Sequence, residues 1–294
     1  MVARDGAGMT PGDLLLAALA TGIWSGAFVA TDTALREAPP ILFAALRFCV
    51  SALALPFLPR PRVSWPVLLV LGLTIGVGQH VGIFFGMATG VTPGMAALLA
   101  HTQSFFTLAL AWGLMGETLT RRKLCGFAAA LGGLVLLMAE RGTPMPPLAI
   151  AIVLGGALAG GLGNFVLRRI GGADPIGVAA WLSAVAAPLL LALSISVEGM
   201  DPLRAILSGP SLGFVIATGY SGILSGLIAY AIWARLFGRY EAHRIAPFML
   251  MVPVGAIALS ALFLGERPSL WRLGAAAAIL VGLGLNLVPA RQRR

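Results

Sequence analysis

Arg47 is a permanent cation inside the apolar run from Pro40 to Leu58. A charge in hydrocarbon is costly unless it faces the protein interior or a water-filled cavity, so such a residue reads first as functional: here, a counter-charge for a substrate carboxylate. The structural alternative is a guanidinium that caps backbone carbonyls or snorkels to an interface. Two further polar pairs interrupt apolar runs, Gln79 with His80 and His101 with Gln103. The amides offer donors and acceptors suited to a zwitterionic solute. Histidine titrates near neutral pH, which makes His80 and His101 candidates for a proton-coupled step; interhelical hydrogen bonding is the structural alternative. Trp24 and Tyr220 lie deep enough in their runs to line a cavity, whereas Tyr230 and Trp233 fall nearer a membrane face, as in an aromatic belt. Asp32 closes the first run and reads as an interfacial acid.

The chain lacks the motifs of an enzyme. It has no HExxH zinc helix, no GxSxG elbow and no phosphate-binding loop, and no pair of intramembrane aspartates. Three histidines and two cysteines, Cys49 and Cys125, are too few and too scattered for an expected metal site, disulfide framework or cofactor.

The surrounding composition is that of a protein dissolved in lipid. Apolar residues make up 59% and charged residues 11% of the 294 positions, and mean hydropathy is +0.94; a soluble domain would carry about 25% charge. Ten runs are apolar and long enough to be read as membrane helices, near 14–34, 40–58, 66–88, 93–115, 124–139, 147–167, 176–197, 211–234, 245–264 and 270–288. Many begin with proline, which suits a first helical turn. The net charge of +9 lies in short connections, so it points to membrane orientation and not to nucleic acid. With ten spans, 14 of the 20 basic residues fall on the side of the termini and 5 on the other, Arg47 being the remaining one. Both termini are therefore expected in the cytoplasm.

The chain also repeats itself. Gly116-Glu117 and Gly265-Glu266 each end an apolar run, and Gly133 and Gly282 lie in the runs after them; members of each pair are 149 positions apart. Two halves are expected, 14–139 and 147–288, with five spans each. An odd number of spans inverts the second half, the arrangement that permits alternating access. Glu117 and Glu266 are read as helix-terminal or gate residues. Arg239, Glu241 and Arg244 sit in the connection before the ninth run, where they pair at an inner gate or form a solvated loop. Gly72, Gly76, Gly78, Gly82, Gly86, Gly90 and Gly94 form a stripe of small residues, suited to close helix contact or to sliding.

These residues resemble the drug/metabolite transporter superfamily, EamA branch, over nearly the whole chain. The resemblance rests on Trp24 with Phe28, Pro40 leading to Ala45-Leu46-Arg47-Phe48, Gly116-Glu117-Thr118-Leu119-Thr120 with Gly126, and Gly265-Glu266-Arg267 with Gly274. The stretch Tyr230-Ala231-Ile232-Trp233, Gly238-Arg239-Tyr240-Glu241, Arg244, Ala246-Pro247 and Val252-Pro253-Val254 is similar to the cysteine/O-acetylserine exporter branch. So are Gly72-Leu73-Thr74-Ile75 with Gln79, and Gln103 with Phe105-Phe106-Thr107. The chain departs from that branch at Ala27, where an asparagine is usual, and at His80 and His101. The resemblance implies an all-α integral membrane protein of ten transmembrane helices in two inverted EamA repeats. It implies export of small polar metabolites across the inner membrane without ATP, by exchange with protons.

The expectation is thus a secondary transporter for an amino acid or related metabolite, with Arg47, Gln79, Gln103, Trp24 and Tyr220 around its cavity. Its partners are the substrate, the bilayer and protons; a homodimer is left open. Its rivals are an exporter of cationic or lipophilic drugs, which would favour a deep acid that is not found, and a membrane enzyme or a non-transporting membrane subunit.

Overall fold

The computed structural model describes residues 9–116, 120–140, 145–170 and 174–287. In chain order its helices are α1 (Pro11–Leu35), α2 (Pro40–Ala52, extended by a 3-10 turn at Leu55–Phe57), α3 (Trp65–Ala88) and α4 (Pro93–Met115). They continue with α5 (Arg121–Met138), α6 (Pro147–Ile170), α7 (Pro175–Val197), the short α8 (Asp201–Ser208), α9 (Leu212–Phe237), α10 (Ala242–Leu264) and α11 (Leu270–Leu287). Among the described residues eight segments, those of α1 to α4, α6, α7, α9 and α10, are long and apolar enough to cross a membrane. The apolar stretch of α11 is shorter, and α5 spans 18 residues but opens on the three cations Arg121, Arg122 and Lys123. The amphipathic α8 is not expected from the sequence, where it falls in a connection.

Local chemistry sets the helix ends. Thr10, Thr120 and Ser211 each accept a hydrogen bond from the amide three residues on, and Asp174 accepts from Ile176 and Gly177, as N-caps do. Gly116 and Gly265 end α4 and α10 with φ of 67° and 69°. That left-handed cap strains any residue with a Cβ, which accounts for the glycine in both copies of the Gly-Glu motif.

The contact between α5 and α11 reveals how the halves are related. A Cβ on Gly133 would lie 2.8 Å from Ala275 O and from Ile279 Cγ1, and one on Gly282 would lie 2.5 Å from Gly126 O and 2.9 Å from Ala130 N. Gly126 and Ala130 are the counterparts of Ala275 and Ile279 at the 149-residue offset. The contact is therefore self-complementary, as across a two-fold axis, and residue numbers rise on one helix as they fall on the other. Two copies of one helix running antiparallel means that the copies are inverted. The same swap recurs elsewhere: α1 packs on α9 and α10, α6 packs on α3 and α4, and α2 packs on α7. Each half thus sends its first helix into the other half.

Glycines allow these crossings. A Cβ on Gly82 would come 2.6 Å from Gly156 Cα, and one on Gly78 would come 2.8 Å from the Ala159 Cβ, both on α6; Gly72 meets Val185 on α7. The stripe is a packing surface toward two neighbours. Without water to drive association, such close backbone contact is what holds membrane helices together.

The third helix of each half is widened at the same level. Residues Gly72–Gln79 of α3 and Tyr220–Ile228 of α9 form π-helical turns. A π turn loosens the backbone ladder and frees carbonyls for other donors.

Candidate functional site

A cavity of about 1050 Å³ lies between the halves. Its walls come from α1, α2, α3, α4, α6, α7, α9, α10 and α11. It reaches Asp174 at the start of α7 and Gly238 after α9, so it extends to the face that carries the arginine-rich connections, here termed the basic face. Toward the opposite face Phe84, Phe43 and Phe214 stack with ring centroids 5.0 and 6.4 Å apart, and all three are buried.

Arg47 lies on this cavity and is only 7% exposed. Its Nη2 donates to Ser221 O at 3.2 Å, while Nε has no hydrogen-bond partner. Its guanidinium lies 4.9 Å from the centre of the Phe48 ring. Among the described residues no carboxylate pairs with it. A buried cation with one carbonyl partner is under-compensated, and an anion entering the cavity would complete it.

The π turn of α9 prepares this position. Ser221 O receives Arg47, Gly222 O receives the Ser51 hydroxyl at 2.8 Å, and Ser225 O receives the Trp24 indole at 3.2 Å. In α3 the equivalent turn exposes Ile75 O, which bonds His80 Nδ1 at 2.7 Å. His101 Nδ1 bonds Ala97 O at 2.8 Å, just before the helix tightens at Thr102. A carbonyl only accepts, so both histidines carry their proton on Nδ1 and keep Nε2 as an acceptor. Both line the cavity.

Gln79 and Gln103 also line it and pair with each other, Nε2 to Oε1, at 3.0 Å. Gly160 makes room for them, since a Cβ there would lie 2.5 Å from Gln103 Oε1. Trp24 stands on the facing wall, with Tyr230 at 5.3 Å edge-on and Trp233 at 5.7 Å. The cavity thus has an amide wall and an aromatic wall, with Arg47 between them on α2.

Other expectations fall elsewhere. Tyr220 is not among the cavity-lining residues; its hydroxyl donates to Ile23 O at 2.9 Å and lies against Gly26. Tyr230 and Trp233, read from the sequence as a belt, line the cavity instead. The cavity runs on to Gly238 at the basic face, so residues near that end of α9 line it although they lie close to a membrane face. Asn164 and Ser104 line the cavity too, beyond the residues expected there. Asn164 comes directly after the glycines of α6, where the sequence reads only as a packing run.

The gate residues separate. Arg239 lies 3.4 Å from the buried Asp13, whose carboxylate also accepts from Tyr240 at 2.7 Å and from Thr10. This joins the start of α1 to the connection after α9 on the basic face. Glu241 takes the N-cap position of α10, and Arg244 lies in its first turn. Glu266 comes after the Gly265 cap on the opposite face. Glu117 lies outside the described residues. Asp32 pairs with Arg36 at 2.8 Å at the exposed end of α1.

The EamA-like transporter family model matches residues 11–139 and 147–288, once for each half. The chain belongs to the EamA-like transporter family. It is a multi-pass membrane transporter and not an enzyme, and its partners are a small-molecule substrate and the bilayer. A Salmonella typhimurium protein named "Probable amino-acid metabolite efflux pump" is 33% identical over 293 residues, covering 97% of this chain and 98% of its own length. An Escherichia coli protein of the same name is 30% identical with the same coverage. A solved structure superposes on 95% of this chain and 97% of its own with a TM-score of 0.64; at 23% identity this likeness concerns the fold alone.

Within that family frame the two repeats supply different chemistry at matched positions. At the 149-residue offset His101 corresponds to Leu250, Gln103 to Val252 and Phe84 to Trp233, and all six line the cavity. A symmetric frame therefore holds different side chains at matched positions: His101 and Gln103 in the first repeat against Leu250 and Val252 in the second.

Proposed function

We propose that this transporter exports an amino acid or a closely related metabolite, of the cysteine and O-acetylserine kind, across the bacterial inner membrane. The observation that carries the reading is Arg47, a buried guanidinium on the central cavity with its Nε unpartnered. The substrate carboxylate binds there as a charge-assisted pair. The ammonium faces acceptors: the free Nε2 atoms of His80 and His101 and the carboxamide oxygens of Gln79 and Gln103. The side chain rests against Trp24, Tyr230 and Trp233. The names of the relatives agree with such a substrate class.

The basic face is the cytoplasmic one, with both termini on it, because cytoplasmic connections carry the excess of arginine and lysine. The cavity then opens inward, ready to load a substrate for export. Protons drive the exchange through His80 and His101: a protonated imidazole repels the substrate ammonium and a neutral one accepts it. The cationic-drug reading is weaker because the fixed charge on the cavity is positive, and Asp174, at the mouth, is engaged in capping its own helix.

The test is uptake of labelled cysteine and O-acetylserine into inverted vesicles containing the purified protein, with and without a pH gradient. Uptake that tracks the gradient supports the reading. No uptake of either by correctly folded protein would sink the substrate assignment and direct attention to other solutes.

A further inference from the structure

A second hollow lies beside the transport cavity, with Ile170 on the wall of both. It has a volume of about 440 Å³ and sits between the start of α3 and the end of α6 on the basic face. Arg62, Ser64, Val67, Phe165, Arg169 and Ile170 line it. Its origin is the glycine contact between these two helices. They touch at Gly82 and Gly156 and again at Gly163 against Ile75; toward the basic face Val67, Phe165 and Ile170 replace glycines and line the hollow.

The hollow has the chemistry of a headgroup pocket. Arg62 and Arg169 are both exposed at its rim, and the Arg169 guanidinium lies 5.1 Å from the Phe165 ring centre. The Ser64 side chain makes no capping bond to α3. Trp65 is exposed beside it, with Arg60 stacked at 4.4 Å, the pairing expected at a membrane–water interface. One helical turn deeper, Val70 on α3 and Leu162 on α6 are exposed, so the pocket continues into an apolar groove.

We propose that this cleft binds an anionic phospholipid. The phosphate lies between Arg62 and Arg169, and the acyl chains run along Val67, Val70 and Leu162 into the bilayer. Two arginines with no carboxylate beside them in the pocket lining favour an anion, and the exposed apolar residues beneath them favour one that carries a tail. Ile170 lines both this cleft and the transport cavity, so the lipid would sit beside the cavity mouth.

The experiment is native mass spectrometry of the full-length protein titrated with phosphatidylglycerol or phosphatidylcholine. The wild type should retain phosphatidylglycerol preferentially. Arg62→Gln and Arg169→Gln should each weaken that retention about fivefold, and together remove the preference. Arg121→Gln with Arg122→Gln, a basic pair elsewhere on the same face, should leave it intact. Val67→Trp, which fills the cleft and keeps both charges, should also abolish it, and it supplies the answer if the double arginine variant does not fold. Equal retention of the two lipids by the wild type, an equal loss in the control pair, or unchanged retention in Val67→Trp would overturn the proposal. Competition by free glycerol phosphate at the same concentration as the lipid would do so too, since the tail would then contribute nothing. None of these readouts depends on transport.

Discussion

Substituting Arg47 distinguishes a substrate clamp from a structural cation. Arg47→Gln should lower kcat/KM for export about 10- to 100-fold, the worth of one charge-assisted bond of roughly 1.5–3 kcal/mol. Thermal stability should hold or rise, because a buried, poorly paired charge is removed. Unchanged transport together with a large loss of stability would make the residue structural. At Gly160 the expected cause is steric: Gly160→Ala places a Cβ 2.5 Å from Gln103 Oε1 and 2.7 Å from Gln79 Cδ, so the amide pair must move and export should fall. Gly155→Ala on the same helix meets nothing within 4 Å and serves as the comparison in the same transport assay. Arg47 is legible in the sequence because a lone charge in an apolar run has few roles open to it. Tyr230 is not, because nothing in the chain shows that the cavity opens at the face near which this residue lies. Gly160 looks like any packing glycine, since only its neighbours in space show that it serves two glutamines.

At the scale of elements, apolar runs and prolines locate the helices well: the expected 93–115 is the span Pro93–Met115, and 66–88 is Trp65–Ala88. Both helices have a proline in their first turn, Pro66 and Pro93, a start signal that is itself sequence-local. The pairing of helices is less legible, because Gly133 and Gly282 announce a close contact without saying with whom. The α5–α11 crossing should be intolerant of bulk: Gly133→Leu ought to cost about 1–3 kcal/mol through overpacking. Gly132→Leu, with no atom near its Cβ, should cost far less when both are tracked by thermal unfolding in detergent. A pH dependence belongs to the join between α1 and α9. Glu37 accepts hydrogen bonds from the Ser211 hydroxyl and, at 2.9 Å, from the Ser211 amide, and these hold its carboxyl below the ordinary value of 4.5. A depressed carboxylate contributes its stability in full above the ordinary value and loses it as pH falls through the folded-state value. The difference in melting temperature between wild type and Glu37→Gln should therefore be constant near neutrality and shrink on acidification below about 4.5. A difference that stays flat down to the acid limit would remove Glu37 from the stability of this join.

For the whole molecule, the inverted halves imply that the opposite access state is reached when the repeats exchange conformations, so whatever closes the face opposite the basic one, the outer face under the proposed orientation, must be breakable. Three carboxylates on that face each tie one half to the other. Glu37 accepts from Ser211, Glu198 accepts from the Ile41 and Leu42 amides at 2.7 and 2.8 Å, and the buried Glu140 accepts from Ser269 at 2.6 Å and from Arg272 at 2.9 Å. The buried phenylalanines 43, 84 and 214 lie beneath them. Closure by hydrogen bonds over an aromatic plug is strong but reversible, because each bond exchanges for one with water as the face opens. Removing Glu198 strands the two α2 amides and the Ser194 hydroxyl that donates to it at 2.8 Å, which should tilt the balance toward the outward-open state. A cysteine at Thr31, a buried cavity-lining position, reports that balance once Cys49 and Cys125 are replaced by serine. In right-side-out vesicles an impermeant thiol reagent should label Thr31→Cys slowly. Labelling should be about tenfold faster in the Glu198→Gln background, as expected for the loss of roughly 1.4 kcal/mol of closing free energy. If Glu198→Gln leaves the labelling rate unchanged while Phe84→Ala raises it, the plug alone sets outer closure and the carboxylates only shape the helix ends.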